Sequence, residues 1–269
     1  PLKAQFVSFS LQKRNAAFVL LLAALPAIVF ALARPQFGGK SVMVKREGTD
    51  ALFLLDVSKS MSARDASPDR LTRSKLEIAR LMEVLKGDRV GIIVFAGAAF
   101  VQCPLTTDYS AAKLFLKSVS IGDVNAGGTA LGKAFAAASK AFEDSRENGG
   151  SKVAVVVTDG EDFDKDTEKE FAALKEQGVR VYAVGVGSAA GEPIPSGDRG
   201  GGYLKEGDKT VMSKRNDALL EKLAEESGGK YYNLQEGSDL TELAAELSRM
   251  KKAEFKSEMY TQYDERFYL

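Results

Sequence analysis

Four short, almost unbroken apolar runs constrain this chain more than any other feature. They are ALFLL at 51–55, RVGIIVF at 89–95, KVAVVV at 152–157 and VRVYAVGV at 179–186. A strand with no polar face is buried on both sides, as central strands of parallel sheets are. Between the runs lie helix-length stripes; in 71–85, for example, Leu76, Ile78, Ala79, Leu81, Met82 and Leu85 recur among charges. Further helices are expected at 109–119, 130–142, 166–177, 216–227 and 240–250, with a short strand at 230–233 and an edge strand at 41–46. Residues 98–102 (AAFVQ) follow the second run after only a short turn and read as its antiparallel hairpin partner. Strands alternating with such helices imply βα units with right-handed crossovers. The expected fold class is therefore α/β: a doubly wound, mostly parallel sheet with one antiparallel edge strand.

A different segment precedes this region. Residues 16–33, AAFVLLLAALPAIVFALA, carry no charge. As a helix they would span roughly 27 Å, close to the thickness of a bilayer's hydrocarbon core, and Pro26 is tolerable in a membrane helix. The segment reads as an uncleaved transmembrane anchor. A secretory signal peptide cleaved near Ala31-Leu32-Ala33 is the competing reading. Lys3, Lys13 and Arg14 precede it and Arg34, Lys40, Lys45 and Arg46 follow, so the count of basic residues favours neither orientation. The chain opens on Pro1 rather than Met, as a fragment or processed form would. The expected divisions are a polar N-terminal segment (1–15), the transmembrane helix (16–33), a linker and edge strand (34–47), the main domain (48–250) and a C-terminal juxtamembrane segment (251–269).

Composition narrows the chemistry. Lys+Arg and Asp+Glu are both 37, so no polyanionic partner such as nucleic acid is implied. Histidine is absent, which removes Ser-His-Asp and Cys-His nucleophile systems and every His-containing zinc site. The single cysteine, Cys103, rules out an intrachain disulfide. Any metal must sit among oxygens.

Such oxygens occur where open α/β sheets place their ligands, at the carboxyl ends of strands. The first apolar run ends in Asp56-Val57-Ser58-Lys59-Ser60, and the third in Thr158-Asp159-Gly160. Gly127-Gly128-Thr129 lies in a turn before a helix. On adjacent parallel strands Asp56 and Asp159 would lie close together and repel unless a cation or proton stood between them. With the hydroxyls of Ser58, Ser60 and Thr129 they form a hard donor set suited to octahedral Mg2+, with Mn2+ or Ca2+ as alternatives. Helix capping explains each residue singly, but not why both acids end apolar strands.

This order of residues resembles the metal-ion-dependent adhesion site of von Willebrand factor A domains: D-x-S-x-S at Asp56, Ser58 and Ser60, then Thr129 and Asp159. The resemblance covers about residues 48–250. It is narrower still through Ala33-Arg34-Pro35-Gln36 after the apolar helix, Gly200-Gly201-Gly202-Tyr203-Leu204 and Gly228-Gly229-Lys230-Tyr231-Tyr232, which are similar to the bacterial Bat (aerotolerance operon) membrane-anchored proteins. The resemblance implies that Ser58, Ser60 and Thr129 hold the metal directly, that Asp56 and Asp159 act directly or through water, and that a protein partner's acidic residue completes the octahedron. It also implies an inner-membrane location with the domain facing the periplasm, and partners among other Bat-type proteins and a MoxR-type AAA+ ATPase. Bat proteins usually continue into another membrane helix, and Tyr260, Tyr263, Phe267 and Tyr268 would suit an aromatic belt ahead of one; a poorly ordered tail is the alternative. The expected function is metal-dependent docking without bond chemistry. The alternative is a metal-assisted phosphoryl-transfer or hydrolytic enzyme using Asp56.

Other motifs fail on inspection. The near-Walker sequence from Gly127 to Ala134 lacks the final hydroxyl. Asp162, Asp164 and Asp166 start like an EF-hand, but Thr167 and Ala173 stand where Gly and Glu are needed. Lys75, Arg80 and Lys86 read as a solvated helix face. Residues 187–202, rich in Gly and Pro, read as a loop after the fourth run that either shapes the binding surface or is a solvated insertion.

Overall fold

The computed structural model describes residues 11–32, 37–42, 45–85, 87–124, 127–144, 151–162, 164–197, 202–234, 240–249, 253–256 and 260–264. Along the chain run α1 (Leu11–Leu32), β1 (Phe37–Val42), β2 (Lys45–Gly48), β3 (Asp50–Asp56), α2 (Arg70–Val84), β4 (Arg89–Phe95), β5 (Ala99–Thr106), α3 (Tyr109–Ser118) and α4 (Leu131–Asp144). Then come β6 (Lys152–Thr158), α5 (Thr167–Glu176), β7 (Val179–Val186) and the short strands β8 (Glu192–Pro193), β9 (Lys205–Glu206), β10 (Lys209–Thr210) and β11 (Met212–Ser213). The chain continues through α6 (Asp217–Glu226), β12 (Tyr231–Leu234), α7 (Thr241–Arg249), β13 (Ala253–Lys256) and β14 (Tyr260–Asp264).

The described residues fall into two units, one within Lys45–Lys256 and one drawn from Pro1–Val44 and Ser257–Leu269. In the smaller unit, Lys13–Phe30 has a mean hydropathy of 1.6, buries none of its residues, and is long and apolar enough to cross a membrane. The helix starts before the uncharged run because Lys13 and Arg14 are good helix formers. Also in this unit, β1 pairs antiparallel with β14.

In the larger unit a six-stranded sheet has the order β12-β7-β6-β3-β4-β5. All its pairs are parallel except the edge pair β4–β5. β3 sits centrally because every one of its residues is buried and needs cover on both faces. Alternation then sorts its side chains: Ala51, Phe53 and Leu55 join one core with Ile78, Leu81, Leu116 and Leu243, from α2, α3 and α7. Leu52 and Leu54 join a second with Phe135, Phe171 and Leu223, from α4, α5 and α6. The chain leaves β3 towards β4 and returns on its other side as β6. That reversal opens a crevice at the carboxyl ends of β3 and β6, the usual ligand position in such sheets.

Several expectations are corrected. The strand expected at 41–46 is not an edge of the main sheet: of its described residues, 41–42 fall in β1 and 45–46 in β2, and β2 pairs with β13. The edges of the six-stranded sheet are β12 and β5. The antiparallel partner extends beyond 98–102 through Cys103 and Pro104, because an edge strand tolerates a missing donor. Lys75 is no solvated side chain; its Nζ donates to the carbonyls of Lys117 at 2.9 Å and Val119 at 2.7 Å, closing the C-terminal end of α3. Arg80 does sit on a solvated face as expected, its side chain 63% exposed while it pairs with Glu77 at 2.7 Å, and Lys86 lies outside the described residues. Tyr260 and Tyr263 belong to β14; Phe267 and Tyr268 lie outside the described residues.

Candidate functional site

The site starts from strand register. Leu55 pairs with Val157 in β3–β6, so Asp56 and Thr158 end neighbouring strands side by side. Thr158 Oγ1 donates to Asp56 Oδ2 at 2.6 Å. The Ser58 backbone N–H donates to Asp56 Oδ1 at 2.8 Å, an Asx turn that bends the chain over the end of the strand. The next turn, the 3-10 helix Lys59–Ser62, holds Ser60, with Met61 fully buried beneath it. The hydroxyls of Ser58 and Ser60 are hydrogen-bonded at 2.9 Å. Thr129 arrives from the loop before α4, where the Ala130 N–H donates to the Ala96 carbonyl at 2.8 Å and pins that loop to the end of β4.

Ser58, Ser60 and Thr129 therefore share one cavity of about 460 Å³, also lined by Lys59, Gly127, Gly128 and Glu161. Asp56 and Asp159, both 0% exposed, are not among its lining residues. The Asp56 carboxyl is pushed up to about 7, first by burial and then by the neighbouring Asp159 charge, against the hydrogen bonds from Thr158 and Ser58. Burial also raises Glu161, with the backbone N–H of Lys214 and the Arg70 charge opposing.

The residue missed in the sequence is Arg70. It opens α2 yet is 0% exposed. Its Nε and Nη2 reach the two oxygens of Asp65 at 2.8 and 2.7 Å. Its Nη1 reaches Asp159 Oδ2 at 3.0 Å and Ser213 Oγ at 2.6 Å. Ser213 Oγ in turn donates to Asp159 Oδ2 at 3.0 Å. The guanidinium passes Gly187, whose φ of +100° and lack of Cβ leave room for it; a Cβ there would overlap the guanidinium. One sequence signal existed. A cation in the first turn of a helix opposes the macrodipole and so asks for an acidic partner.

Asp162 has a structural task, accepting from the Leu131 N–H at 3.2 Å and from Thr167 Oγ1 at 2.6 Å. Together with Thr167, which accepts from the Gly132 N–H at 3.1 Å, it caps the start of α4. Lys133 of the near-Walker sequence donates to the Gly97 carbonyl at 2.7 Å.

The donor set fits a hard divalent cation. It contains only oxygens, and because no group of three or more His, Cys, Asp or Glu that could hold a metal occurs among the described residues, a cation here would rest on three hydroxyls and two carboxylates. Asp56 and Asp159 are both fully buried; Arg70 reaches Asp159, and after burial itself the Asp159 charge is what raises the Asp56 carboxyl, a repulsion that a cation would relieve. Ser58, Ser60 and Thr129 could offer neutral oxygens on the cavity side, with Asp56 and Asp159 supplying charge from beneath.

The family model of the von Willebrand factor type A domain matches residues 50–246. The crystal structure of BatB, a conserved hypothetical protein from Bacteroides thetaiotaomicron, is 32% identical with a TM-score of 0.67, over 75% of this chain and 96% of that one. An aerotolerance-related membrane protein from Bacteroides fragilis is also 32% identical, with a TM-score of 0.68, over 76% and 100%. An uncharacterized protein of Borreliella burgdorferi is 28% identical over 240 residues, covering 88% of this chain and 68% of its own length. The chain belongs to the von Willebrand factor type A domain family.

Proposed function

We propose that this chain is a membrane-anchored docking module that binds a partner's carboxylate through a divalent cation, magnesium by preference, held by Asp56, Ser58, Ser60, Thr129 and Asp159. The observation that carries the reading is the convergence of three hydroxyls on one cavity, with two buried carboxylates in the same strand-end crevice. When bound, the cation supplies Lewis acidity towards an incoming oxygen. The chain's own residues do the rest. Ser58, Ser60 and Thr129 present oxygens, Thr158 and the Ser58 N–H orient Asp56, and Arg70 with Ser213 orients Asp159. The boundary of the module is taken as 48–250, with 16–33 as its anchor. By likeness to the Bat proteins, it would face the periplasm from the inner membrane and work with Bat-type proteins and a MoxR-type AAA+ ATPase.

Enzymatic use of Asp56 is disfavoured. Both its oxygens already accept hydrogen bonds and it is fully buried, so an attack on an incoming phosphorus or carbonyl centre has no approach. Calorimetric titration of the full chain in detergent tests the reading: magnesium should bind wild type and not the Ser58→Ala/Ser60→Ala variant. A pull-down from membranes should lose its partners in EDTA and with Asp159→Ala. Identical recovery under all conditions would refute metal-dependent docking.

A further inference from the structure

The cavity above Ser58, Ser60 and Thr129 has a second wall that the metal set does not use. Val57, Ala96 and Val124 line it from the sheet-end loops, and Ile194, Leu204 and Val211 from the excursion between β7 and α6. The described part of the stretch expected as a loop, 187–197 and 202, belongs to that excursion, which is built of short antiparallel pairs: β8 with β11, β9 with β10, and a bridge between Pro195 and Tyr203. Backbone bonds join its three apolar residues to one another. The Ile194 N–H donates to the Val211 carbonyl at 3.2 Å, Leu204 to Ile194 at 2.7 Å, and Val211 to Leu204 at 2.8 Å.

The excursion is also tied to the charged floor. Ser213 bonds both Arg70 and Asp159, the Lys214 N–H donates to Glu161 Oε1 at 3.0 Å, and the Asn216 N–H donates to the Asp159 carbonyl at 2.8 Å. An apolar wall is thus held in fixed register with the hydroxyls. The volume of about 460 Å³ lies in the range of small-ligand pockets. A lone carboxylate would leave most of it wet against aliphatic carbon.

We propose that the site reads two adjacent features of a protein partner at once: an acidic side chain at the cation, and a large aliphatic or aromatic side chain beside it, packed on Ile194, Leu204 and Val211. This inference rests on the docking function proposed above and adds the partner's chemistry. Charge agrees with the assignment. Glu161 lines the same cavity and repels a bare carboxylate, so the acidic half of the ligand requires the cation, whereas Lys59 on the lining favours an anion once the cation is in place.

The test uses the full chain in detergent and three blocked dipeptides: N-acetyl-Asp-Leu-amide, N-acetyl-Asp-Gly-amide and N-acetyl-Asn-Leu-amide. Dissociation constants are read by ligand-observed NMR with magnesium and with EDTA. Burying one leucine side chain predicts that Asp-Leu binds about tenfold or more tightly than Asp-Gly in magnesium, and that Asn-Leu binds measurably weaker than Asp-Leu. The preference for leucine should collapse in Leu204→Ser and Val211→Ser, both on the excursion and outside the metal set, with magnesium affinity unchanged. Equal affinity for the two aspartyl peptides, or no binding of either while magnesium binds, would overturn the inference and leave the metal reading standing. Equal affinity of Asn-Leu and Asp-Leu would overturn its acidic half. Absence of magnesium binding to wild type would overturn both.

Discussion

Removing the Arg70 guanidinium should be among the most costly single changes in this domain. In Arg70→Met the aliphatic stem is kept, but Asp159, 0% exposed, loses its only charged partner among the described residues. Asp65, with a side chain 8% exposed, loses the other. What remains is the Ser213 hydroxyl and the Glu161 N–H on Asp159, at 3.0 and 3.2 Å, and the Ser188 N–H on Asp65 at 2.7 Å. Deleting one partner of a buried ion pair costs roughly 3–5 kcal/mol, about a fifth or more of the total stability of a typical domain. Arg70→Lys should recover only part of it, because a single ammonium cannot fork to both Asp65 oxygens and still reach Asp159. The assay is urea unfolding in EDTA, followed by circular dichroism, with Asp159→Asn and the double variant completing a cycle. If the guanidinium compensates Asp159, the double variant should lie about 1–3 kcal/mol above the additive expectation. Magnesium should also stabilise Arg70→Met more than wild type, since the variant site carries one more net negative charge. A loss below about 1 kcal/mol, or strict additivity, would refute the reasoning.

Three further outcomes are expected. In EDTA, stability should fall as pH rises from about 4 to 7: the folded Asp56 carboxyl, pushed up to about 7, keeps a proton that the unfolded one, near 3.8, has released. The native state then binds more protons, giving a slope of up to about 1.4 kcal/mol per pH unit. Urea midpoints at about pH 5 and 7.5 measure it, and Asp56→Asn or added magnesium should flatten it; a midpoint that rises with pH would contradict the assignment. Thr158→Val removes the 2.6 Å donor to Asp56, which holds the carboxyl down, and should cost about 1–3 kcal/mol, with the pH-dependent loss of stability continuing to higher pH than in wild type. Gly187→Ala forces a side chain into φ +100° and against Arg70, and should cost at least about 1–3 kcal/mol by denaturant unfolding; a neutral result would mean that the guanidinium can shift.

Much of the architecture was legible in one dimension. The four apolar runs could only be covered strands, and the observed β3, β4, β6 and β7 match them closely because burial on both faces leaves a run of carbon that no loop tolerates. Helix positions followed from apolar stripes, with ends moved by a residue or two through caps such as Asp69, which accepts from the Thr72 N–H at 2.7 Å. Strands β1, β2, β13 and β14 were not foreseen as pairs, because pairing between segments so far apart leaves no local periodicity. The excursion carrying β8 to β11 was hidden for a related reason: two-residue strands have no pattern to detect.

The sequence marks Asp56 at the end of β3 and Asp159 just past the end of β6, with Ser58, Ser60 and Thr129 in the turns beside them, because the apolar runs fix where those strands stop. Their separation into three hydroxyls on a cavity and two carboxylates withheld from it could not be named. That depends on which side chains the folded sheet leaves facing open space. Arg70 shows the limit most plainly. Its neighbours Asp65, Asp159 and Ser213 lie 5, 89 and 143 positions away, and only the crossing of α2, the end of β6 and the excursion brings them together. Apolar order along a chain is set by the cost of exposing carbon to water, which each segment carries with it. Charge compensation in a dry interior is set by distance, and distance exists only once the chain has folded.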